Sequence, residues 1–342
     1  MNLSNKQVLV VDKDPEDKVM NLTLRPKTWD EYIGQNLLKK NLKILIEAAK
    51  KRNEPVEHVL LSGPAGLGKT SMAHLLAREM NTNIRVTSGP AIERVGDLAS
   101  ILTNLLPRDI LFIDEAHRLN KMIEEVLYPA MESRTLDIII GKGPSARTIQ
   151  IELPPFTLIA ATTRTALLSS PLRSRFGGVF RLDFYNNEDI EKIINRSANL
   201  LSVGITPGAV QMLAQSSRFT PRAANRLLKR ARDYAQVHGT GTINETYARQ
   251  ALDLMEIDAL GVEPMDRRIL EVIIKKFSGG PVGIQSLAAA AAEEEDAIEE
   301  VYEPYLMQLG FLERTPRGRM ATERAYQHLG LKSPVAQKTL LT

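Results

Sequence analysis

The sequence His58-Val-Leu-Leu-Ser-Gly-Pro-Ala-Gly-Leu-Gly-Lys-Thr70 decides the fold of this chain. A short apolar run leads directly into a glycine-rich loop. The loop satisfies the G-x-x-x-x-G-K-[ST] pattern of a phosphate-binding loop at Gly63, Gly68, Lys69 and Thr70. From Thr70 to Met80 the apolar residues recur at helical spacing. The stretch therefore predicts a strand, a loop and a helix whose N-terminus attracts anions.

The residue types of the loop fit one chemistry. Gly66 and Gly68 allow backbone angles that are closed to other residues, so that successive N–H groups can turn towards a polyphosphate. Lys69 offers a positive charge to the β- and γ-phosphates, and Thr70 offers a hydroxyl to Mg²⁺. A strand before the loop and a helix after it favour this interpretation over a chance glycine-rich turn. The predicted ligand is a nucleoside triphosphate.

Composition restricts the remaining possibilities. The 342 residues suffice for two or three domains, and a formal net charge of +3 means that any nucleic-acid surface must be a local patch. The absence of cysteine excludes disulfides and thiolate metal sites, and five scattered histidines make structural zinc a poor interpretation. Residues 1–21 are predicted to be a disordered acidic tail, and no apolar stretch reaches the length of a membrane span. We therefore predict a cytoplasmic protein with no membrane partner.

A second nucleotide motif follows about forty residues after the loop. Ile110-Leu-Phe-Ile-Asp-Glu115 is a continuous apolar run that ends in two carboxylates, as expected for a parallel strand buried on both faces. Asp114 at the end of this strand can hold a Mg²⁺-bound water, and Glu115 can polarise the water that attacks the γ-phosphate. The alternative is a helix N-cap with a solvated neighbour, and the spacing from the loop favours the catalytic interpretation.

Residues 136–153 form two β-rich runs joined by a Gly-Lys-Gly-Pro-Ser turn, which predicts a hairpin. If the hairpin projects from its domain, the apolar run Ile138–Ile140 would suit docking of a protein partner. A hairpin folded back on its own domain is an equally good interpretation of the residues alone.

A further buried strand, Thr157–Thr163, ends in hydroxyls. Thr162 or Thr163 could hydrogen-bond the attacking water or the γ-phosphate. Downstream, Arg173 and Arg175 lie at a predicted helix end. Such a pair is usually a surface salt-bridge element, but in a ring-forming ATPase an arginine here would reach the neighbour's γ-phosphate.

The last third of the chain is mostly helical. Residues 186–260 are predicted to form a small all-helical domain. Arg222 and Arg226 share one helix face, which could be a solvated stripe, a nucleic-acid face or a nucleotide sensor, and we favour Arg222 directed at the nucleotide with the later basic residues solvated. Residues 261–335 contain three helical patterns and a hairpin, which together match a winged helix. The third helical pattern, 296–309, carries many glutamates, so phosphates would be repelled from it and DNA should bind through the hairpin, called the wing. The wing arginines are Arg314, Arg317 and Arg319. A winged helix used only for protein contacts is the alternative.

With these motifs, the chain resembles the RuvB family of bacterial Holliday-junction branch-migration motors, which are AAA+ ATPases. The resemblance covers nearly all of residues 22–330. Its most specific segments are Leu153-Pro-Pro-Phe-Thr157 and the arginine-rich Arg314-Thr-Pro-Arg-Gly-Arg-Met-Ala-Thr322. Others are Leu24-Arg-Pro26, Glu31-Tyr-Ile-Gly-Gln35, His117-Arg-Leu119, Glu125–Glu132, Ala161-Thr-Thr-Arg164, Ser170-Pro-Leu-Arg173 and Pro221-Arg222. Ala65 and Ser71 depart from the family's usual loop residues, and Glu295 stands where a basic residue is common.

The resemblance implies an α/β fold: an AAA+ P-loop ATPase domain with a parallel sheet (22–185), a small all-helical lid domain (186–260) and a C-terminal winged-helix domain (261–335). It implies a homohexamer that hydrolyses ATP with Mg²⁺ to pull double-stranded DNA through four-way junctions in recombination, DNA repair and the SOS response. The partners implied are RuvA, docked at the hairpin 136–153, and the junction resolvase RuvC. An ATP-gated DNA-binding regulator and a protein remodeller remain as alternatives.

The resemblance also assigns roles to residues. The nucleotide contacts are Leu24, Arg25, Gly66, Gly68, Lys69, Thr70, Ser71, Glu132, Ser133, Arg134, Arg175, Tyr185 and Arg222. Thr70 and Asp114 are the metal ligands. The catalytic residues are Lys69, Asp114, Glu115, Thr163 and Arg175, the last acting on the neighbouring subunit. Arg314, Arg317 and Arg319 contact DNA.

Overall fold

The computed structural model describes residues 23–140, 147–239 and 241–333. The predicted tail 1–21, the turn of the predicted hairpin and residues 334–335 of the predicted third domain lie outside these ranges. No helix within them is long and apolar enough to cross a membrane.

Nine strands are described: β1 Val59–Ser62, β2 Ile84–Ser88, β3 Ile110–Asp114, β4 Thr135–Ile140, β5 Arg147–Glu152, β6 Thr157–Thr162, β7 Gly178–Arg181, β8 Leu312–Thr315 and β9 Gly318–Ala321. Five of them form a central parallel sheet in the order β2-β3-β6-β1-β7. The strand that carries the threonines, β6, therefore lies between the strand before the phosphate loop, β1, and the acidic strand, β3. All three end at the same edge of the sheet.

Helices cover both faces of this sheet and build the other two domains. In the first domain they are Asn36–Arg52, Lys69–Met80, Val95–Thr103, Lys121–Glu132 and Ser170–Arg173, with 3-10 turns at Gly89–Ala91, Ala116–Arg118 and Thr165–Leu167. The second domain has Asn187–Leu200, Pro207–Gln215, Pro221–His238 and Glu245–Leu254. The third has Pro264–Lys276, Ile284–Ala291, Glu295–Ala297, a π-helix at Ile298–Tyr302, Glu303–Gln308 and Glu323–His328.

The central strands are buried on both faces, as their continuous apolar runs predict. Side chains alternate along each strand, so that Ile110 and Phe112 of β3 pack in one apolar cluster and Leu111 and Ile113 pack in the other. The first of these clusters continues into the helical domain, where it includes residues such as Leu213. The helical domain thus shares a core with one face of the sheet.

The winged-helix domain has its own apolar cluster and joins the helical domain through a buried ion pair. Arg218 donates from Nη1 to Asp266 Oδ2 at 3.1 Å and from Nη2 to Asp266 Oδ1 at 3.3 Å. Its guanidinium also lies 4.5 Å from the centre of the Tyr305 ring, and Nη2 donates to the Val301 carbonyl. The expected third helix, 296–309, is interrupted by the π-helix. Pro304 has no N–H to donate to the carbonyl of Glu300, which favours this wider turn.

The hairpin of β4 and β5 is anchored at its base. Leu136 and Leu153 are buried in the core of the first domain, and Ile138 is half-buried against it. Ile149 on β5 is 48% exposed. The structure therefore combines the two interpretations, because the base folds onto the domain while part of the hairpin presents an apolar side chain to solvent.

The buried face of the helix Asn36–Arg52 gives a test of the packing. Leu42 is 0% exposed, and Leu42→Ala should lower the free energy of unfolding by about 2–5 kcal/mol because the cavity is not refilled. Leu37 on the same helix is 74% exposed, and Leu37→Ala should change the free energy of unfolding by less than about 0.5 kcal/mol. Urea unfolding followed by circular dichroism measures both, and equal losses in the two variants would contradict the packing.

Candidate functional site

The phosphate loop lies at the carboxyl edge of the sheet, between β1 and the helix Lys69–Met80. Its glycines are required by geometry as well as by pattern. Gly66 has φ +83°, and a Cβ there would lie 3.1 Å from the Cβ of Arg222. Gly68 has φ +98°, and a Cβ there would lie 2.8 Å from the hydroxyl of Tyr32. Both positions combine a left-handed backbone with a close neighbour, so side chains are excluded.

Lys69 is the charged centre of this loop. Its side chain is buried, and Nζ donates to the carbonyl oxygens of Gly63 at 2.7 Å and Pro64 at 2.8 Å. The pKa of Lys69 is lowered to about 8, chiefly by burial; the charge of Asp114 acts against this shift, and the charge of Arg222 adds to it. The ammonium is therefore held inside the loop, where phosphate oxygens would compete with the two carbonyls for its protons.

Thr70 and Asp114 come together although they are 44 residues apart. Thr70 Oγ1 lies 3.4 Å from Asp114 Oδ2, and Asp114 Oδ1 accepts from the Glu115 N–H at 3.0 Å. A hydroxyl beside a carboxylate is an oxygen donor set that suits Mg²⁺, which typically takes few protein ligands and completes its shell with water and phosphate oxygens. No group of three or more acidic, histidine or cysteine residues suited to a metal ion occurs in the described ranges. The two residues thus fit a nucleotide-bound Mg²⁺ and not a closed all-protein site.

Glu115 follows Asp114 with a left-handed backbone, φ 49° and ψ 43°. Its carboxylate is 49% exposed and lies 3.5 Å from Arg118 Nη1. The turn re-aims the chain after β3, so that Glu115 diverges from Asp114 and is accessible to water at the edge of the sheet. A water-activating carboxylate needs this accessibility.

Residues 23–35, the N-terminal arm, pack against the loop through Tyr32. The hydroxyls of Tyr32 and Tyr185 both donate to the Leu67 carbonyl at 3.3 Å, and burial raises the pKa of Tyr185 to about 12. Leu24 is buried, and its carbonyl accepts from Arg196 of the helical domain. Tyr32 thus fixes the arm to the loop at Leu67, and Leu24 fixes it to the helical domain.

Arg222 lies beside the loop itself, and Arg25 lies near the helix that follows it. The charge of Arg25 helps to lower the pKa of His74, on the helix after the loop, to about 4, burial being the larger cause. The N–H of Arg222 donates to the Gly66 carbonyl at 3.4 Å, and its exposed side chain is close enough to lower the pKa of Lys69. Ser71 follows Thr70 on the first turn of the helix Lys69–Met80. The structure therefore brings these predicted contacts to one loop.

Arg175 belongs to a different group of residues. Its guanidinium lies 4.5 Å from the centre of the Tyr128 ring, Nη2 lies 3.1 Å from Glu132 Oε2, and Nη1 donates to the Pro171 carbonyl at 2.6 Å. Ser133 and Arg134, which are predicted with Glu132 as nucleotide contacts, are exposed and directly follow the helix Lys121–Glu132. Within the described residues, no hydrogen bond or ion pair joins this group to the phosphate loop of the same chain.

Thr163 follows β6 at the carboxyl edge of the sheet and forms a hydrogen bond with the third domain. Its hydroxyl donates to Glu300 Oε2 at 2.9 Å. His117 Nε2 lies 3.4 Å from Glu300 Oε1, outside hydrogen-bond geometry, and His117 Nδ1 contacts Thr162 Oγ1 at 3.1 Å. Arg164 pairs with Asp296, Glu299 and Glu300. Sequence reasoning missed Glu299 and Glu300 as neighbours of the site; the only signal was the acidic run itself.

The wing differs from its sequence-based description at one residue. Arg314 and Arg317 are exposed, but Arg319 is 6% exposed. Arg319 Nη2 donates to Glu299 Oε1 at 2.7 Å, and Nε donates to Glu303. The acidic helix thus pairs with Arg319 and keeps it off the surface that Arg314 and Arg317 occupy. A DNA contact by Arg319 stays a prediction that requires exchange of these partners.

The pKa of Lys69 predicts how nucleotide affinity depends on pH. Below pH 8 the free protein carries the ammonium, and above pH 8 it carries a neutral amine that cannot attract phosphate. The affinity for a fluorescent ATP analogue should therefore fall above pH 8, by up to about tenfold per pH unit. Lys69→Arg stays charged throughout and should lack this loss. The same profile in both proteins would show that Lys69 does not govern binding.

Three family models match consecutive parts of the chain. They are described as the Holliday junction DNA helicase RuvB P-loop domain at residues 24–182, the RuvB AAA lid domain at residues 185–258 and the RuvB C-terminal winged helix domain at residues 259–330. Together they span the parallel-sheet domain, the helical domain and the third domain described above.

Characterised relatives agree with these models. The chain is 58% identical over 316 residues to the Holliday junction branch migration complex subunit RuvB of Dehalococcoides mccartyi (strain CBDB1), covering 92% of this chain and 90% of the relative. It is 56% identical over 332 residues to the same subunit of Chloroflexus aggregans (strain MD-66 / DSM 9485), covering 97% and 95%. The solved structure of the Thermotoga maritima RuvB Holliday junction branch migration motor is 51% identical with a TM-score of 0.85, covering 91% of this chain and 100% of that one. The chain belongs to the RuvB family.

Proposed function

We propose that this protein is an ATP-driven, hexameric DNA translocase that powers branch migration of Holliday junctions in recombination and DNA repair. The observation that carries the proposal is the direct connection between a phosphate-binding edge and an arginine-bearing wing, made by Glu299 and Glu300. The relatives named above, which are branch migration subunits, support the same function. Neither a promoter-reading regulator nor a protein remodeller is favoured by any of them.

The edge of the sheet supplies the groups that ATP hydrolysis needs. Lys69 would hold the β- and γ-phosphates by charge, and Thr70 and Asp114 are the residues that would hold Mg²⁺, which would supply positive charge beside the phosphate oxygens. Glu115 would accept a proton from the attacking water. The water oxygen then bonds to the γ-phosphorus while the bond between the γ-phosphorus and the ADP oxygen breaks. The hydroxyl of Thr163, which donates to Glu300 in this structure, would orient that water or a γ-phosphate oxygen once it is released.

We further propose that each site is completed by a neighbouring subunit. Arg175 is fixed by Tyr128, Glu132 and the Pro171 carbonyl, and it makes no contact with its own loop among the described residues. An arginine that is rigidly held yet remote from its own phosphates suits action in trans. The group at the end of the helix Lys121–Glu132, including Ser133 and Arg134, would then face the next subunit's nucleotide.

The proposed partners follow from two surfaces. The hairpin of β4 and β5, with Ile149 exposed, is proposed to dock RuvA, which holds the four-way junction. The wing, with Arg314 and Arg317 exposed, is proposed to contact the phosphates of duplex DNA. The junction resolvase RuvC would act on the same complex. This role places the protein with the chromosome in the cytoplasm and in the SOS response to DNA damage.

Branch migration of a synthetic four-way junction tests the proposal most directly. With RuvA, ATP and Mg²⁺, the protein should convert a labelled junction into two duplexes, as measured on a native gel. Glu115→Gln should bind ATP but migrate no junction, because the water is not activated, whereas Lys69→Ala should also lose tight nucleotide binding. Unchanged junctions, together with ATP hydrolysis that does not respond to DNA or RuvA, would overturn the proposed function.

Mixed assemblies test the action of Arg175 in trans. Arg175→Ala should reduce ATP hydrolysis by about 10³–10⁵, the usual effect of losing such an arginine. Mixing it with Lys69→Ala should restore part of the rate, since some interfaces then pair an intact loop with an intact arginine. Arg173→Ala, an exposed neighbour, is the control and should hydrolyse ATP unaided. A complete lack of rescue would argue that Arg175 acts within its own chain.

A further inference from the structure

The acidic segment 296–303 of the winged-helix domain contacts two basic groups in different domains. One is Arg164, beside the catalytic edge of the ATPase domain, and the other is the pair Arg314 and Arg319 on the wing. The segment lies on the short helix Glu295–Ala297, the π-helix Ile298–Tyr302 and the first residue of the next helix. π-turns frequently occur at functional sites.

In the ATPase domain, Glu300 contacts the residues that directly follow β6. One carboxylate oxygen accepts the Thr163 hydroxyl at 2.9 Å, and the other lies 3.2 Å from Arg164 Nε and 3.4 Å from His117 Nε2. Its side chain is 21% exposed, so solvent weakens these contacts only in part. The charge of Glu300 also reaches Lys69, where it acts to raise the pKa. A third-domain carboxylate is therefore an electrostatic neighbour of the phosphate loop.

At the wing, Glu299 is shared between the domains. Its Oε2 accepts from Arg164 Nη2 at 2.7 Å, while its Oε1 accepts from Arg319 Nη2 at 2.7 Å and lies 3.5 Å from Arg314 Nη2. Glu303 completes the pairing of Arg319. Any anion that attracts the two wing arginines must compete with Glu299.

The contacts of Glu300 oppose catalysis in two ways. While the Thr163 hydroxyl donates a hydrogen bond to Glu300, it cannot donate one to a γ-phosphate oxygen, since a hydroxyl has one hydrogen to donate. A carboxylate beside the phosphate site also repels the charge that accumulates on the γ-phosphoryl group in the transition state. Removing Glu300 would relieve both effects.

We propose that Glu300 is an autoinhibitory residue contributed by the winged-helix domain, and that duplex DNA releases it by competing with Glu299 and Glu303 for the wing arginines. Phosphates along a duplex are densely spaced anions that bind arginine strongly. Once Arg314 and Arg319 turn to DNA, the buried carboxylate of Glu303 is left without its partner on the wing. An unpaired buried charge is costly, so the segment that also carries Glu300 rearranges and leaves Thr163. The inference rests on the proposed function, because it takes DNA as the activating ligand.

The rate of ATP hydrolysis with and without duplex DNA tests the inhibition. Glu300→Ala should raise the DNA-free rate at least about fivefold, the lower end of typical coupling between sites, and should reduce the stimulation by DNA by the same factor. Glu295→Ala removes an exposed carboxylate that directly precedes the segment and should behave like the unaltered protein. A DNA-free rate in Glu300→Ala at or below that of Glu295→Ala would overturn the inference.

DNA affinity without nucleotide gives a readout independent of hydrolysis. Glu299→Ala should tighten binding of a fluorescent duplex about fivefold or more in an anisotropy titration, because Arg314 and Arg319 no longer have to leave Glu299. Glu295→Ala is again the control for the loss of one negative charge. Equal affinities of these two variants would overturn the competition.

A cross-link tests whether the contact must open. The chain has no cysteine, so Arg164→Cys and Asp296→Cys can be joined by a short reducible bis-maleimide linker without other attachment sites. The cross-linked protein should lose stimulation by DNA and regain it on reduction. Full stimulation in the linked state would overturn the inference. Branch migration by the unaltered protein is measured in parallel, so that its failure, which would sink the proposed function, is distinguished from a normal motor whose variants show no release.

Discussion

The position of β6 between β1 and β3 is the constraint on which the rest of the structure depends. Because both faces of these strands pack in apolar clusters, a slip by one residue would place each side chain among neighbours of the wrong size and shape, and close packing therefore holds one register. Ser62 is in register with Thr162, and the Gly63 N–H donates to the Thr162 carbonyl at 3.2 Å. The phosphate loop, the acidic pair and the threonines therefore leave the sheet side by side. Open parallel sheets place their ligands at this edge.

Local patterns were sufficient to predict the parts of this edge. The phosphate loop and Asp114–Glu115 are contiguous motifs whose chemistry depends on few neighbours, and the structure brings Thr70 to Asp114 as expected. What the sequence could not predict is which distant groups fill the remaining contacts. Glu300 is 137 residues from Thr163, and their hydrogen bond depends on how a separate domain docks. No periodicity or spacing carries that information.

The acidic third helix of the winged-helix domain is another case in which local sequence does not show which distant groups a side chain contacts. Its glutamates predict that DNA phosphates are repelled, which is sound electrostatics, but charge alone does not say what the carboxylates face. Glu303 is buried, and Glu299 is 23% exposed, so both require cationic partners. Arg319 and Arg164 supply them. The sequence-based interpretation grouped Arg319 with the other wing arginines and treated basic and acidic segments as separate surfaces, whereas Arg319 pairs with Glu299 and Glu303.

Two of the contacts that hold the winged-helix domain, the Arg218–Asp266 pair and the pairs of Arg164, differ in how readily they separate. Arg218 and Asp266 form a bidentate pair in which Asp266 is 0% exposed; burial raises the pKa of Asp266 to about 6, so it is ionised at neutral pH. Breaking such a pair leaves a buried charge, at a typical cost of about 3–5 kcal/mol. The pairs of Arg164 are partly solvated, and pairs fully exposed to solvent are worth about 0.2–1 kcal/mol each. Movement of this domain should therefore open the contact with the ATPase edge and pivot on the contact with the helical domain.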